Sequence, residues 1–109
     1  MARSSTLIAL LLVTGCATTA EPRYPVTEDL LVTGFPGLPS DARQVAERLA
    51  SCSHFAGEFD GDGSDRDMEV ASVMAELHCE TVDRDVAAIR QKYAGNRAVQ
   101  EALVAASQL

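Results

Sequence analysis

Residues 40–56 read Ser40-Asp41-Ala42-Arg43-Gln44-Val45-Ala46-Glu47-Arg48-Leu49-Ala50-Ser51-Cys52-Ser53-His54-Phe55-Ala56. Wound at about 100° per residue, Ala42, Val45, Ala46, Leu49, Cys52 and Ala56 fall on one arc, opposite Arg43, Glu47 and Ser51. The run is an amphipathic helix that needs a partner for its apolar arc. Ser40 offers an N-cap and Asp41 a negative charge in the first turn, both suited to a helix N-terminus. Gly57 is the expected end.

The helical period continues downstream. A second helix starts at Ser64, whose hydroxyl can accept from the amide of Asp67 in a shortened capping box. Val70, Val73, Met74 and Leu77 fill the centre of its arc, Ala71 and Ala75 lie beside them, and Met68 and Cys79 mark one edge. An arc that wide predicts the central helix of the domain. A third helix fits Asp83–Ala94, with Val82, Val86, Ile89 and Tyr93 on a stripe and Gly95 placed as a left-handed C-terminal residue. Asn96 then caps a fourth, carrying Val99, Ala102, Leu103 and Ala106 on one face. The pattern predicts an all-α domain over residues 41–109, a small bundle of about four short amphipathic helices.

Upstream, Pro22, Pro25, Pro36 and Pro39 fall together with Gly34 and Gly37, a composition that sustains neither a helix nor a central strand. Residues 16–40 therefore read as a tether. Leu30-Leu31-Val32 and Phe35 are more apolar than a free linker requires, so this patch either packs back onto the domain or serves as a partner-binding strip.

The N-terminus carries Arg3 followed by an unbroken apolar run, Leu7 to Val13, the charge and apolar segments of an export signal. Such a run spans about 10 Å as a helix against roughly 30 Å of bilayer hydrocarbon, too short for a permanent anchor. It leads into Val13-Thr14-Gly15-Cys16, which resembles the lipobox of bacterial lipoproteins: an aliphatic residue, two small residues, then cysteine. The resemblance covers only the N-terminus. It implies that residues 1–15 are a cleaved signal peptide, that Cys16 carries a diacylglyceryl thioether and an acylated amine, and that the lipid holds the protein in a membrane. Residue 17 is alanine; in that class an aspartate there commonly retains the protein at the inner membrane, so the resemblance implies the outer membrane, facing the periplasm. The competing reading is an ordinary signal peptide cut after Ala20, with Thr18 and Ala20 as the small residues.

The chain has 9 basic and 16 acidic side chains, a net charge of -7. Loss of Arg3 with the signal leaves 8 against 16, a net charge of -8 for the mature protein. That balance excludes nucleic acid as a partner and opposes binding to anionic lipid surfaces, so membrane attachment has to come from the lipid.

With Cys16 assigned to lipid, Cys52 and Cys79 remain. An even number in an exported domain of this size predicts a disulfide between the first two helices, worth about 3.5 kcal/mol by loop closure. Two free core cysteines are the alternative. Cys52 lies near the end of its helix and Cys79 far from the start of the next, so the pairing requires the 57–64 segment to make an excursion and the helices to cross.

Residues 58–69, Glu-Phe-Asp-Gly-Asp-Gly-Ser-Asp-Arg-Asp-Met-Glu, resemble an EF-hand calcium loop. Acidic groups stand at the first, third and fifth positions (Glu58, Asp60, Asp62), glycine at the sixth and Glu69 at the twelfth. The chain departs from that family in having Glu58 rather than aspartate at the first position, Asp65 in place of an aliphatic residue, and Arg66 beside it. The resemblance implies Ca2+ held by Glu58, Asp60, Asp62 and Glu69; the competing reading is a solvated acidic loop without a cofactor.

Cys52-Ser53-His54-Phe55-Ala56-Gly57-Glu58, followed by Cys79, is similar to a Cys-x-His-aromatic-x-Gly-Glu pattern of small bacterial envelope proteins, a resemblance that brings no activity with it. His54 and Glu58 are spaced to share a helix face or, with His78, a metal, although Gly57 stands between them as a helix breaker; His54 reads rather as a capping or hydrogen-bonded histidine. His78, within the second helix's arc, reads as a buried imidazole bonded to a carbonyl or carboxylate. The chain has no Gly-x-Ser-x-Gly, His-Glu-x-x-His or phosphate-cradling glycine loop. The expectation is a non-enzymatic lipoprotein that binds another protein of the envelope, with a calcium- or metal-binding lipoprotein as the alternative.

Overall fold

The helix predicted from residues 40–56 forms, and it is the element around which the others are arranged. The computed structural model of the chain describes Tyr24 and residues 26–109; the predicted signal peptide, Cys16 and the likeness to a lipobox lie outside the described residues. Five α-helices are present: α1 (Asp29–Thr33), α2 (Ser40–Glu58), α3 (Asp65–Glu76), α4 (Val82–Lys92) and α5 (Arg97–Ala106), with a 3-10 turn at Cys79–Thr81. No strand occurs among the described residues. The all-α bundle is as the periodicity predicts, with α1 added.

Helix α2 packs against all four other helices and the 3-10 turn. Its buried face consists of Ala42, Ala46, Leu49, Ala50 and Cys52. Small side chains along one face let neighbouring helices approach closely, and α4 and α5 use that opportunity with Val82, Val86, Ile89, Val99, Ala102 and Leu103, all buried. Ser40 is the first helical residue rather than the cap, and Pro39 precedes it in extended conformation. The helix also runs through Gly57 to Glu58, one residue past its expected end. Glycine weakens a helix interior by only about 1 kcal/mol, which the pairing of the last turn can offset.

The central position belongs to α2 and not to α3. Only Asp67 and Val70 of α3 are buried, and Met68 is 67% exposed. The edges of the α3 arc, Met68, Ala71 and Ala75, stay in solvent and Val73, Met74 and Leu77 are only partly covered, so arc width overstated its coverage. At the C-terminal end of α4, Gly95 is not in the left-handed region; Tyr93 terminates the helix and Asn96 caps the next, its side chain accepting from the Val99 amide.

Part of the stretch read as a tether is folded onto the bundle. Leu30, Phe35 and Leu38 are buried in the same core as α2, α4 and α5, and Tyr24 packs edge-on against Phe35 with ring centroids 4.9 Å apart. The five residues of α1 fit between Pro25 and Pro36, so the prolines limit the helix without preventing it. At its end Gly34 adopts φ +60°, and a Cβ there would collide with the Glu47 carboxylate. That carboxylate accepts from the Phe35 amide, which pins the turn to α2 and directs the phenyl ring inward. Of the apolar patch, Leu30 and Phe35 are therefore consumed by the core, while Val32 stays 89% exposed. No described helix is long and apolar enough to cross a membrane.

Candidate functional site

Cys52 and Cys79 are bonded, with Cα atoms 5.6 Å apart. The sequence placed Cys79 on the second helix, but α3 stops at Glu76 and His78 takes the left-handed conformation, φ 54° and ψ 45°. This reversal delivers Cys79 to α2 from a 3-10 turn rather than from a helix. With Cys79 off the helix, the geometric requirement for an excursion and crossed helices falls away; the 59–64 loop turns at Gly61 and Gly63, both at positive φ.

The loop is organised by Asp67, whose carboxyl is almost fully buried at 3% exposure. Its Oδ1 accepts from the Asp60 amide at 3.0 Å and its Oδ2 from the Asp62 amide at 2.8 Å. The Asp67 amide in turn donates to Ser64 Oγ, the predicted cap. Hydrogen bonds from the Ser64 hydroxyl and amide hold the Asp62 carboxyl below the usual carboxylate range. Sequence reading saw Asp67 only as a substitute capping residue. The available signal was an acid at the third position of a helix whose preceding loop has two glycines and unpaired amides to satisfy.

Glu58, Asp60, Asp62 and Glu69 are not gathered around one point. The Arg66 guanidinium bonds Glu58 Oε2 and approaches Glu69 Oε2 at 3.5 Å, so a cationic side chain sits between the two glutamates that a calcium reading would use. Among the described residues no group of three or more His, Cys, Asp or Glu side chains is arranged to hold a metal ion.

Because α2 continues through Gly57, His54 Nε2 reaches Glu58 Oε1 at 3.2 Å, one turn away, and the imidazole packs edge-on against Phe55. His78 is not buried in a helix: its side chain is 73% exposed, with Nδ1 3.6 Å from Glu80. A helix-period reading assigned it to the arc because nothing in the pattern marked the left-handed residue at which α3 had already ended. Neither histidine lines the two main clefts.

One of those clefts, about 430 Å³, lies between the incoming chain at Tyr24 and Val26 and the outer side of α5 at Gln100, Val104 and Gln108. The other, about 540 Å³, lies between the C-terminal end of α2 and α3. Its walls are Ala56 and Phe59 on one side and Ala71, Met74 and Ala75 on the other, closed by Cys79 and Glu80. Among the described residues Glu80 is its sole charged lining residue. On the opposite end of the bundle, Asp41 accepts from Lys92 and from the Tyr93 hydroxyl at 2.6 Å, tying α2 to α4; these two bonds pull its pKa to about 2. Arg48 and Asp85 form a second α2–α4 tie.

No family model, curated protein or solved structure matches the chain.

Proposed function

We propose that this is an outer-membrane lipoprotein of the bacterial envelope whose helical domain is a non-enzymatic interaction module. The observation that carries the reading is the Cys52–Cys79 disulfide, downstream of a lipobox-like Val13-Thr14-Gly15-Cys16. A cystine of this kind persists in oxidising compartments, which agrees with export. The described residues offer two open apolar clefts, an arrangement suited to binding. The acidic surface supports attachment through lipid rather than through direct contact with anionic headgroups.

Intact-mass spectrometry of the protein isolated from its native envelope tests this reading. The expected product begins at Cys16, carries the mass of a diacylglyceryl group and an amide-linked acyl chain, and is lighter by the two thiol hydrogens that Cys52 and Cys79 lose on pairing. A polypeptide that begins at Met1 with no fatty acid overturns it.

A further inference from the structure

We propose that the groove between the end of α2 and α3 receives a cationic amphipathic peptide segment of another envelope protein. This rests on the reading of the domain as an interaction module and names the site and the chemistry of its partner.

Three features of the groove lead there. Its volume, about 540 Å³, is in the range of built binding clefts, and its floor is apolar. Ala71 and Ala75, one helical turn apart and both exposed, leave room for a partner backbone to approach, with Met74 between them as an adaptable contact. Phe59 stands half-exposed at the opposite wall, a large aromatic ring left in solvent.

A covalent bond also ties the groove together. Its two walls belong to the segments that run into Cys52 and Cys79, and the disulfide holds them together. Helix α3 buries only Asp67 and Val70, and the bond adds a covalent hold to that small anchorage, which lowers the ordering cost of binding.

Charge selects the occupant. Among the described residues no Lys or Arg lines the groove; Glu80 does, and the exposed Asp60 and Glu76 directly adjoin Phe59 and Ala75 in the chain. A second copy of a chain with net charge -7 is repelled, and so is an anionic bilayer. A segment presenting apolar residues at i, i+3 and i+4 with Lys or Arg on its flanks matches both the floor and the rim.

The test uses the full mature chain, disulfide intact, with a fluorescein-labelled Leu/Lys amphipathic helical peptide and its Leu/Glu counterpart, read by fluorescence anisotropy at low and high salt. The Leu/Lys peptide binds in a salt-sensitive manner and the Leu/Glu peptide does not. Met74→Glu decides the matter, because it adds negative charge. Diffuse attraction to an acidic surface then strengthens binding, whereas seating in the groove weakens it by about tenfold or more. Ala71→Glu, at an exposed position on the same wall, gives the same loss without touching buried contacts, and circular dichroism verifies that both variants keep their helices.

Unchanged or tighter binding by these variants, equal binding of the Leu/Glu peptide, or amide shifts mapping away from α2 and α3 overturns the proposal. A dimer closed through Phe59, or occupation of the groove by the protein's own acyl chains in the lipidated form, overturns it as well. Photo-crosslinks to an envelope protein from another face, with no peptide binding here, overturn the groove assignment while leaving the module reading intact.

Discussion

Replacing Asp67 separates a loop that is held by its own carboxylate from one that is merely solvated. Asp67 is 3% exposed, and each carboxylate oxygen receives one loop amide, at 3.0 and 2.8 Å. Hydrogen bonds to a charged acceptor are worth about 1.5–3 kcal/mol each. The donors, Asp60 and Asp62, lie in exposed residues and regain water when released, which favours the lower figure. Asp67→Ala therefore destabilises the fold by about 3 kcal/mol, a fall in Tm of roughly 15 °C for a domain of this size. Asp67→Asn, which keeps one acceptor oxygen and turns an amide group toward the other donor, loses at least half as much. Thermal unfolding by circular dichroism gives the magnitude, and hydrogen exchange gives the location: the Asp60 and Asp62 amides, slow in the wild type, become fast in both variants. A Tm within about 3 °C of wild type for Asp67→Ala, with those two amides exchanging as slowly as before, would refute the reasoning.

Asp41 carries a pH signature. Its folded pKa is about 2, below the ordinary carboxylate value, because Lys92 and then Tyr93 bond the ionised form. A depressed folded pKa contributes stability that is complete above the unfolded value and is lost as pH falls toward the folded one. The Tm gap between wild type and Asp41→Asn is thus expected to be full above about pH 4 and to close by about pH 2; a gap independent of pH over that window contradicts the Asp41 tie. Leu103→Ala, at a fully buried position, costs about 3–4 kcal/mol by denaturant unfolding, while Val104→Ala beside it, half-exposed, changes stability by less than about 0.5 kcal/mol; similar losses at both would place α5 in the wrong rotation. Millimolar calcium leaves Tm unchanged, since a divalent ion at Glu58 and Glu69 has to displace Arg66; a calcium-dependent rise abolished by Glu69→Gln would show that it does so.

Periodicity revealed α2, α4 and α5 because each has one apolar stripe and one solvated face, and Asn96 and Ser64 announced their caps through chemistry confined to a few neighbouring residues. What it could not rank was burial. Ala71 and Ala75 score as apolar in the same way as Ala42 and Ala46, yet the first pair is exposed and the second fully buried, since the difference lies in which helices pack alongside. Phe35 stood out as too apolar for a linker, but whether it packs back or binds a partner was not decided by its proline-rich setting: its burial goes with Gly34 turning at positive φ under Glu47, a contact across twelve residues that no local pattern carries. His78 was misplaced for a related reason, because a non-glycine residue in the left-handed region leaves no compositional mark.

The distribution of charge follows from these placements. Acids that sit at helix starts or beside a basic side chain are committed to architecture: Asp67 closes the 59–64 loop, Glu58 and Glu69 flank Arg66, Asp41 and Asp85 bind α2 to α4, and Glu47 secures the α1 turn. Glu76 and Glu80, at the end of α3 and in the turn after it, serve no comparable tie among the described residues beyond the exposed contact of Glu80 with His78. They stand beside the groove that the disulfide ties together. The least-buried helix, the covalent bond beside it and the acids least occupied by folding thus converge on one face, and a surface that contributes little to stability while being held covalently is the place where binding can be selected without cost to the fold.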